Sequence, residues 1–133
     1  MSFTSYQTVR FHETDALGHI NNACYFNYFE EARIQLFKEL GAEVSTEAWN
    51  FILASTKCDF LNQGYFNQTL RIETTISQIG NKSFTMTHDI YDSETNVSIA
   101  HGAGVIVYFD FKQQQSVPIP DDFREKLREY MKK

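Results

Sequence analysis

From Asn22 to Leu40 the apolar residues Tyr25, Phe29, Ala32, Leu36 and Leu40 recur three or four positions apart, the spacing of one helical face. Phe26 and Phe37 widen that face. Asn21 or Asn22 can cap the start, Glu30 and Glu31 precede Arg33 and Lys38, and Gly41 stands just past the end. Elsewhere the period is two. The runs FILASTKCDF, TLRIETTISQI, SFTMTHDIYD and VSIAHGAGVIVYFDF read as strands, and residues 5 to 11 as a shorter one. Leu70, Ile72 and Ile76 share one parity, as do Phe84, Met86, His88 and Ile90. In the last run Val97, Ile99, Ala103, Val105, Val107, Phe109 and Phe111 alternate.

Gly80, Asn81 and Lys82 form one turn and Ser93 to Asn96 another, both too short for a parallel crossover, so consecutive strands are expected to pair as an antiparallel meander. Beyond Pro118 and Pro120, DDFREKLREYMKK begins with acids and ends with bases, as a helix dipole favours, with Phe123, Leu127 and Met131 on one side. The sum is an α+β fold: a five-stranded antiparallel sheet wrapped around a long central helix, plus a short C-terminal helix. The long apolar last strand is expected to need cover at a free edge, and an edge-to-edge dimer supplies it.

Length adds that 133 residues suit a single domain, 1–133, able to bury a core without disulfides. The net charge of -5 is scattered, with no basic run, which argues against nucleic acid and anionic membrane as partners. MSFTSYQTVRF has no signal-peptide pattern and no apolar stretch reaches membrane-spanning length, so a cytoplasmic protein is expected. Cys24 and Cys58 read as reduced packing residues.

Ahead of the helix, HETDALGHINNACYF crowds acids, histidines, a glycine and paired asparagines into one corner. A turn needs only a glycine and one capping residue. Asp15 sits before the turn, while backbone N–H groups around Asn22 and Ala23 lie at the positive end of the helix dipole. A carboxylate beside free amides suits attack on a carbonyl, because one supplies a base or nucleophile and the others hold the oxyanion. The plainer role for Asp15 is a turn or capping acid. His12, Asp15 and His19 also invite a metal reading, but no helical His pair or supporting carboxylate pattern accompanies them, so no metal is expected. His88 and His101 fall on the apolar parity of strands and read as core or interface histidines.

The order V-R-F-x-E-T-D-A-x-G-H-I-N-N-A-x-Y-F followed by F-E-E-A-R, over residues 9 to 33, resembles the hotdog-fold acyl-CoA thioesterases of the 4-hydroxybenzoyl-CoA thioesterase-like group. The resemblance implies a hotdog fold and hydrolysis of an acyl-CoA thioester to free acid and coenzyme A. It implies Asp15 as nucleophile or general base and the backbone N–H of Asn22 as oxyanion donor, with Glu13 supporting. Coenzyme A is then part of the substrate, no resident cofactor is implied, and each site is built from both subunits of a homodimer or dimer of dimers. Gly18, His19 and Tyr25 are candidate substrate contacts, although Tyr25, one turn into the helix, suits the core better.

Two departures matter. One branch of the family carries a catalytic histidine where this chain has Asn22, which leaves only the backbone of that position in play. After the second strand this chain has LNQGYFNQTL in place of the basic residue, proline and glycine-aspartate turn of many members. Lys57, Lys82 and Ser83 then become candidates for the coenzyme A phosphates. A non-catalytic acyl-thioester binding module and a hotdog dehydratase or hydratase are the alternatives, the latter lacking its H-F-P-type or paired Asp and His motifs here.

Overall fold

The alternating runs become antiparallel strands in the computed structural model, which describes residues 1–43, 45 and 47–132. β1 spans Phe3–Thr8, β2 Phe51–Phe60, β3 Thr69–Ile79, β4 Ser83–Asp92 and β5 Ser98–Asp110. A two-residue β6, Gln115–Ser116, pairs with β5, so the sheet has one strand more than the sequence predicts. α1 covers Cys24–Glu39 and α2 covers Asp121–Arg128.

The sheet order is β1-β3-β4-β5-β2, with β3, β4 and β5 forming the expected meander. The last long strand is not the exposed edge, however. β5 lies between β4 and β2, because segment 61–68 carries the chain from one side of the sheet to the other before β3 begins. Among the described residues the free edges belong to β1 and β2. β1 also starts earlier and stops sooner than predicted, since Phe11–Glu13 winds into a 3-10 turn in which the Arg10 N–H donates to Glu13 Oε1 at 2.8 Å.

The parity of β5 also differs from the sequence pattern. Ile90 pairs with Ala100 but Tyr91 with Ser98, so a bulge at Ile99 shifts the strand by one residue. Beyond it the inner face carries Ala100, Gly102, Gly104 and Ile106, while Ala103, Val105 and Val107 turn to the outer face, half-buried. Small residues are required there: a Cβ on Gly102 would stand 2.3 Å from the Phe29 ring. His101 shares the outer face, where its Nδ1 meets Asp89 Oδ1 at 2.6 Å. His88 lies in the core, as read from the sequence.

Asn21 caps α1, its Oδ1 accepting from the Ala23 N–H at 3.0 Å and its carbonyl from the Cys24 N–H at 2.9 Å. Gly41, at φ +86°, ends the helix: its N–H donates to Lys38 O and the Ala42 N–H to Phe37 O, which closes two of the orphan carbonyls in a left-handed cap. Tyr25, Tyr28, Phe29, Ala32, Leu36 and Phe37 are buried against the sheet. Each such side chain contributes about 1.5–3 kcal/mol by leaving water. Phe26 is exposed instead, because it lies about 100° around the helix from Tyr25.

Two core clusters fill the space under α1. Tyr28 and Phe29 meet Leu70, Ile72, Ile90 and Ile99, while Leu36 and Phe37 meet Ile76, Phe84, Met86 and Ile106, closed off by Leu127 and Tyr130. Lys126 of α2 donates through Nζ to Leu40 O at 3.0 Å, tying the two helices. β3 runs on past its last β1 partner, Phe3 against Thr74, and there residues 130–132 take over: the Ile76 N–H donates to Tyr130 O at 2.9 Å and the Lys132 N–H to Ile76 O at 3.2 Å. No helix among the described residues is long and apolar enough to cross a membrane.

Candidate active site

Residues 14–20 fold into a narrow loop closed by its own backbone. The Asp15 N–H donates to His19 O at 2.7 Å and the Gly18 N–H to Asp15 O at 3.1 Å, and only glycine accepts the φ of +80° at position 18 without strain. Asp15 Oδ1 accepts from the Leu17 N–H at 2.8 Å and the His19 N–H at 3.1 Å. This is the turn role that a lone Asp would be expected to play. Among the described residues Oδ2 has no hydrogen-bond partner, and the side chain is exposed.

Glu13 fastens this loop to the helix. Its Oε1 accepts from the Tyr28 hydroxyl at 3.0 Å, and its carbonyl accepts from the Asn21 N–H at 2.8 Å. Burial, followed by the nearby Glu13, pushes the Tyr28 hydroxyl well above its ordinary acidity range, so it stays a donor. On the other side the Ile20 N–H donates to Gly64 O at 2.8 Å, and His19 packs edge-on against Tyr65 with ring centroids 5.2 Å apart. A Cβ on Gly64 would meet Ile20 Cδ1 at 2.2 Å, so the glycine of LNQGY is what lets the two segments touch.

Of the amides expected to be free at the helix start, Ala23's is taken by Asn21, whereas the Asn22 N–H has no acceptor among the described residues. Asn22 lines a shallow cavity of about 250 Å³ together with Tyr25, Phe60, Leu61, Asn62 and Gln63. Tyr25 is both core and cavity wall: it is buried, packs edge-on to Phe60 at 5.4 Å, and burial pushes its hydroxyl up to about 12. Asp15 is not part of that wall. Within one chain, therefore, the carboxylate and the free amide share a corner but do not open into one enclosed space.

The remaining candidates are spread out. Lys57 is exposed in the middle of β2, while Lys82 and Ser83 sit at the β3–β4 turn, at the opposite end of β4 from the Asp92 end that adjoins the corner. One chain does not bring the latter two to Asp15. Burial raises both thiols, that of Cys58 to about 11, and both pack against the core. No cluster of three or more His, Cys, Asp or Glu residues suited to a metal ion forms among the described residues.

The sequence pattern did not single out Phe60–Gln63, and it noted Arg33 only as the end of the F-E-E-A-R stretch and as a base following Glu30 and Glu31. Segment 60–63 carries no reactive side chain, only the glycine that follows it. Arg33 had a signal: with Phe29 and Phe37 it forms one i, i+4 stripe on the buried side of α1.

A profile of the thioesterase-like superfamily matches residues 9–127. A predicted thioesterase from Bacillus stearothermophilus is 37% identical and superposes with a TM-score of 0.93 over 100% of this chain and 98% of that one. The uncharacterized protein YsmA of Bacillus subtilis is 35% identical over 95% of this chain and 85% of its own length. A thioesterase from Thermus thermophilus, solved with coenzyme A and zinc, is 29% identical with a TM-score of 0.84 over 94% of this chain and 96% of that one.

Proposed function

The chain belongs to the thioesterase-like superfamily, and from that membership we propose that it hydrolyses acyl-CoA thioesters to a free acid and coenzyme A. The observation that carries the reading is that Asn22, whose N–H has no acceptor among the described residues, lines the helix-start cavity in a corner that also holds Asp15 with one carboxylate oxygen to spare. In this mechanism the Asn22 N–H and the positive end of α1 draw the thioester oxygen, and the charge that develops on it is stabilised there. Asp15 Oδ2 either attacks the carbonyl carbon, expelling coenzyme A as its thiolate and leaving a mixed anhydride that water then hydrolyses to the free acid, or takes a proton from a water that attacks that carbon as the thiolate leaves. The bonds that Asp15 Oδ1 accepts from the Leu17 and His19 N–H groups fix the carboxylate in direction.

A second copy completes the site. β2 is a ten-residue free edge among the described residues, with Leu53 and Phe60 exposed on it. Two such edges pair antiparallel about a two-fold axis. Phe60 lies beside the helix-start cavity and Phe51 at the far end of the strand, about 30 Å away by strand rise. Antiparallel pairing brings the Phe51 end of one protomer to the corner of the other. It covers Asp15 and gives the acyl group somewhere to go. Lys57, Lys82 and Ser83 are the candidates for the coenzyme A phosphates, the last two from across the axis.

Turnover of an acyl-CoA panel followed with a thiol reagent tests the reading. Asp15→Asn should lose about 100-fold or more of kcat with the fold intact. Equal turnover in the two proteins would remove Asp15 from the chemistry. A binding module is the second reading, favoured by the turn bonds that already occupy Oδ1; thioester binding with no thiol released by the wild type would select it.

A further inference from the structure

Alongside the second half of α1 lies a cavity of about 630 Å³, walled largely by Phe37, Trp49, Phe51, Leu53 and Phe111, with Arg33 and, on its wetter side, Glu30 as its charged lining residues. Its size is that of a pocket for a small organic ligand. Arg33 is only 9% exposed, and no hydrogen bond satisfies its guanidinium among the described residues. The nearest carboxylate, Glu30, stands 3.9 Å from Nη2 on a side chain 62% exposed, too far for a hydrogen bond and too wet for a strong ion pair. From the sheet, His88 adds no countercharge.

A guanidinium does not shed its charge, and the nitrogens of this one meet solvent and no protein acceptor among the described residues. Aromatic walls around a guanidinium with no protein acceptor among the described residues make a receptor for an oxygen anion at the end of an apolar ligand. By the strand-edge pairing above, this cavity lies across the two-fold from the partner's catalytic corner. An acyl chain leaving one protomer's Asn22 therefore enters the other protomer's cavity with its far end toward Arg33.

We infer that Arg33 sets specificity, selecting acyl-CoA thioesters whose acyl group carries a carboxylate at the end remote from the thioester. The inference deepens the thioesterase reading and rests on it for the route into the cavity. It does not require that Arg33 touch the reacting carbonyl.

The test compares dodecanedioyl-CoA with dodecanoyl-CoA. Wild type should favour the dicarboxylic thioester in kcat/KM by tenfold or more, Arg33→Met should lose that preference while still hydrolysing dodecanoyl-CoA, and Arg33→Lys should keep part of it. A wild-type ratio near one, or a ratio unchanged in Arg33→Met, overturns the role of Arg33 and leaves the thioesterase reading standing. Titration of wild type with the non-hydrolysable thioether analogues of both compounds separates the two claims. Selective binding of the dicarboxylic analogue without hydrolysis of either thioester overturns the thioesterase reading and keeps Arg33, whereas equal binding overturns Arg33. Should Arg33→Met fail to fold, the same titration on Arg33→Lys reads the role of Arg33, and selectivity undiminished from wild type overturns it.

Discussion

The Tyr28 hydroxyl donates to Glu13 Oε1 across 3.0 Å, and through it the Asp15 loop is fixed to the second turn of α1. The same oxygen also accepts the Arg10 N–H, so the carboxylate both closes its own 3-10 turn and ties that turn to the helix. Tyr28→Phe should cost about 1 kcal/mol, and Glu13→Ala should cost more, because it strands both donors. Urea unfolding of the two variants checks the order. In both, kcat should fall with the loosened loop although neither residue touches substrate.

Gly102→Ala should be among the most damaging small substitutions in the chain. The added methyl would stand 2.3 Å from a buried aromatic ring that has nowhere flat to go. Overpacking of this kind costs about 1–3 kcal/mol. Combining it with Phe29→Leu should recover part of the loss, a coupling that a double-mutant cycle by thermal melting would expose.

His88 makes stability depend on pH in a definite direction. Its ring is buried between Phe29 and β3, with Nδ1 bonded to Thr74 Oγ1 at 2.9 Å, and burial pushes its pKa down from 6.5 to about 3. The unfolded chain takes up a proton below about 6.5 and the folded chain does not, so this contribution is complete above that pH. It is lost progressively as pH falls toward about 3. Urea midpoints measured between pH 7 and 4 should decline, and His88→Phe should flatten the decline.

The periodic elements were legible because burial on one side leaves a repeat: α1, its Gly41 stop and the inner faces of β3 and β4 follow directly from the residue types. β5 was misread because a single bulged residue, Ile99, reverses every later side chain, and the apolar residues of its outer face conceal the change. The place of β2 beside β5 was not legible at all, since nothing local says which strand a chain crosses to join. At the corner, the acid, the glycine and the capping asparagine were readable from residue type. That Asn21 and not Asn22 would take the Ala23 N–H, leaving the neighbouring amide free, depends on one rotation of the backbone. Arg33 could have been found by noticing a charge on the apolar stripe.

Thr56→Lys, placed mid-way along the β2 edge, should set like charges against each other wherever two such edges meet. Light scattering should then report a single chain, and hydrolysis should fall in step with the loss of the pair. Dimers that persist unchanged would mean that another surface joins them.

The bonds between Ile76 and residues 130–132 also constrain the order of biosynthesis. Ile76 leaves the ribosome long before Tyr130 and Lys132 do, so the far end of β3 stays unsaturated until almost the whole described chain has been translated. Over that interval a nascent strand with an open flank is exposed to passing chaperones and to neighbouring polypeptides on the same message. Extensions fused directly after these residues would intrude on that late closure, and so would extensions ahead of Phe3, which packs edge-on against Tyr130 and whose register carries the preceding chain along β3 toward Ile76.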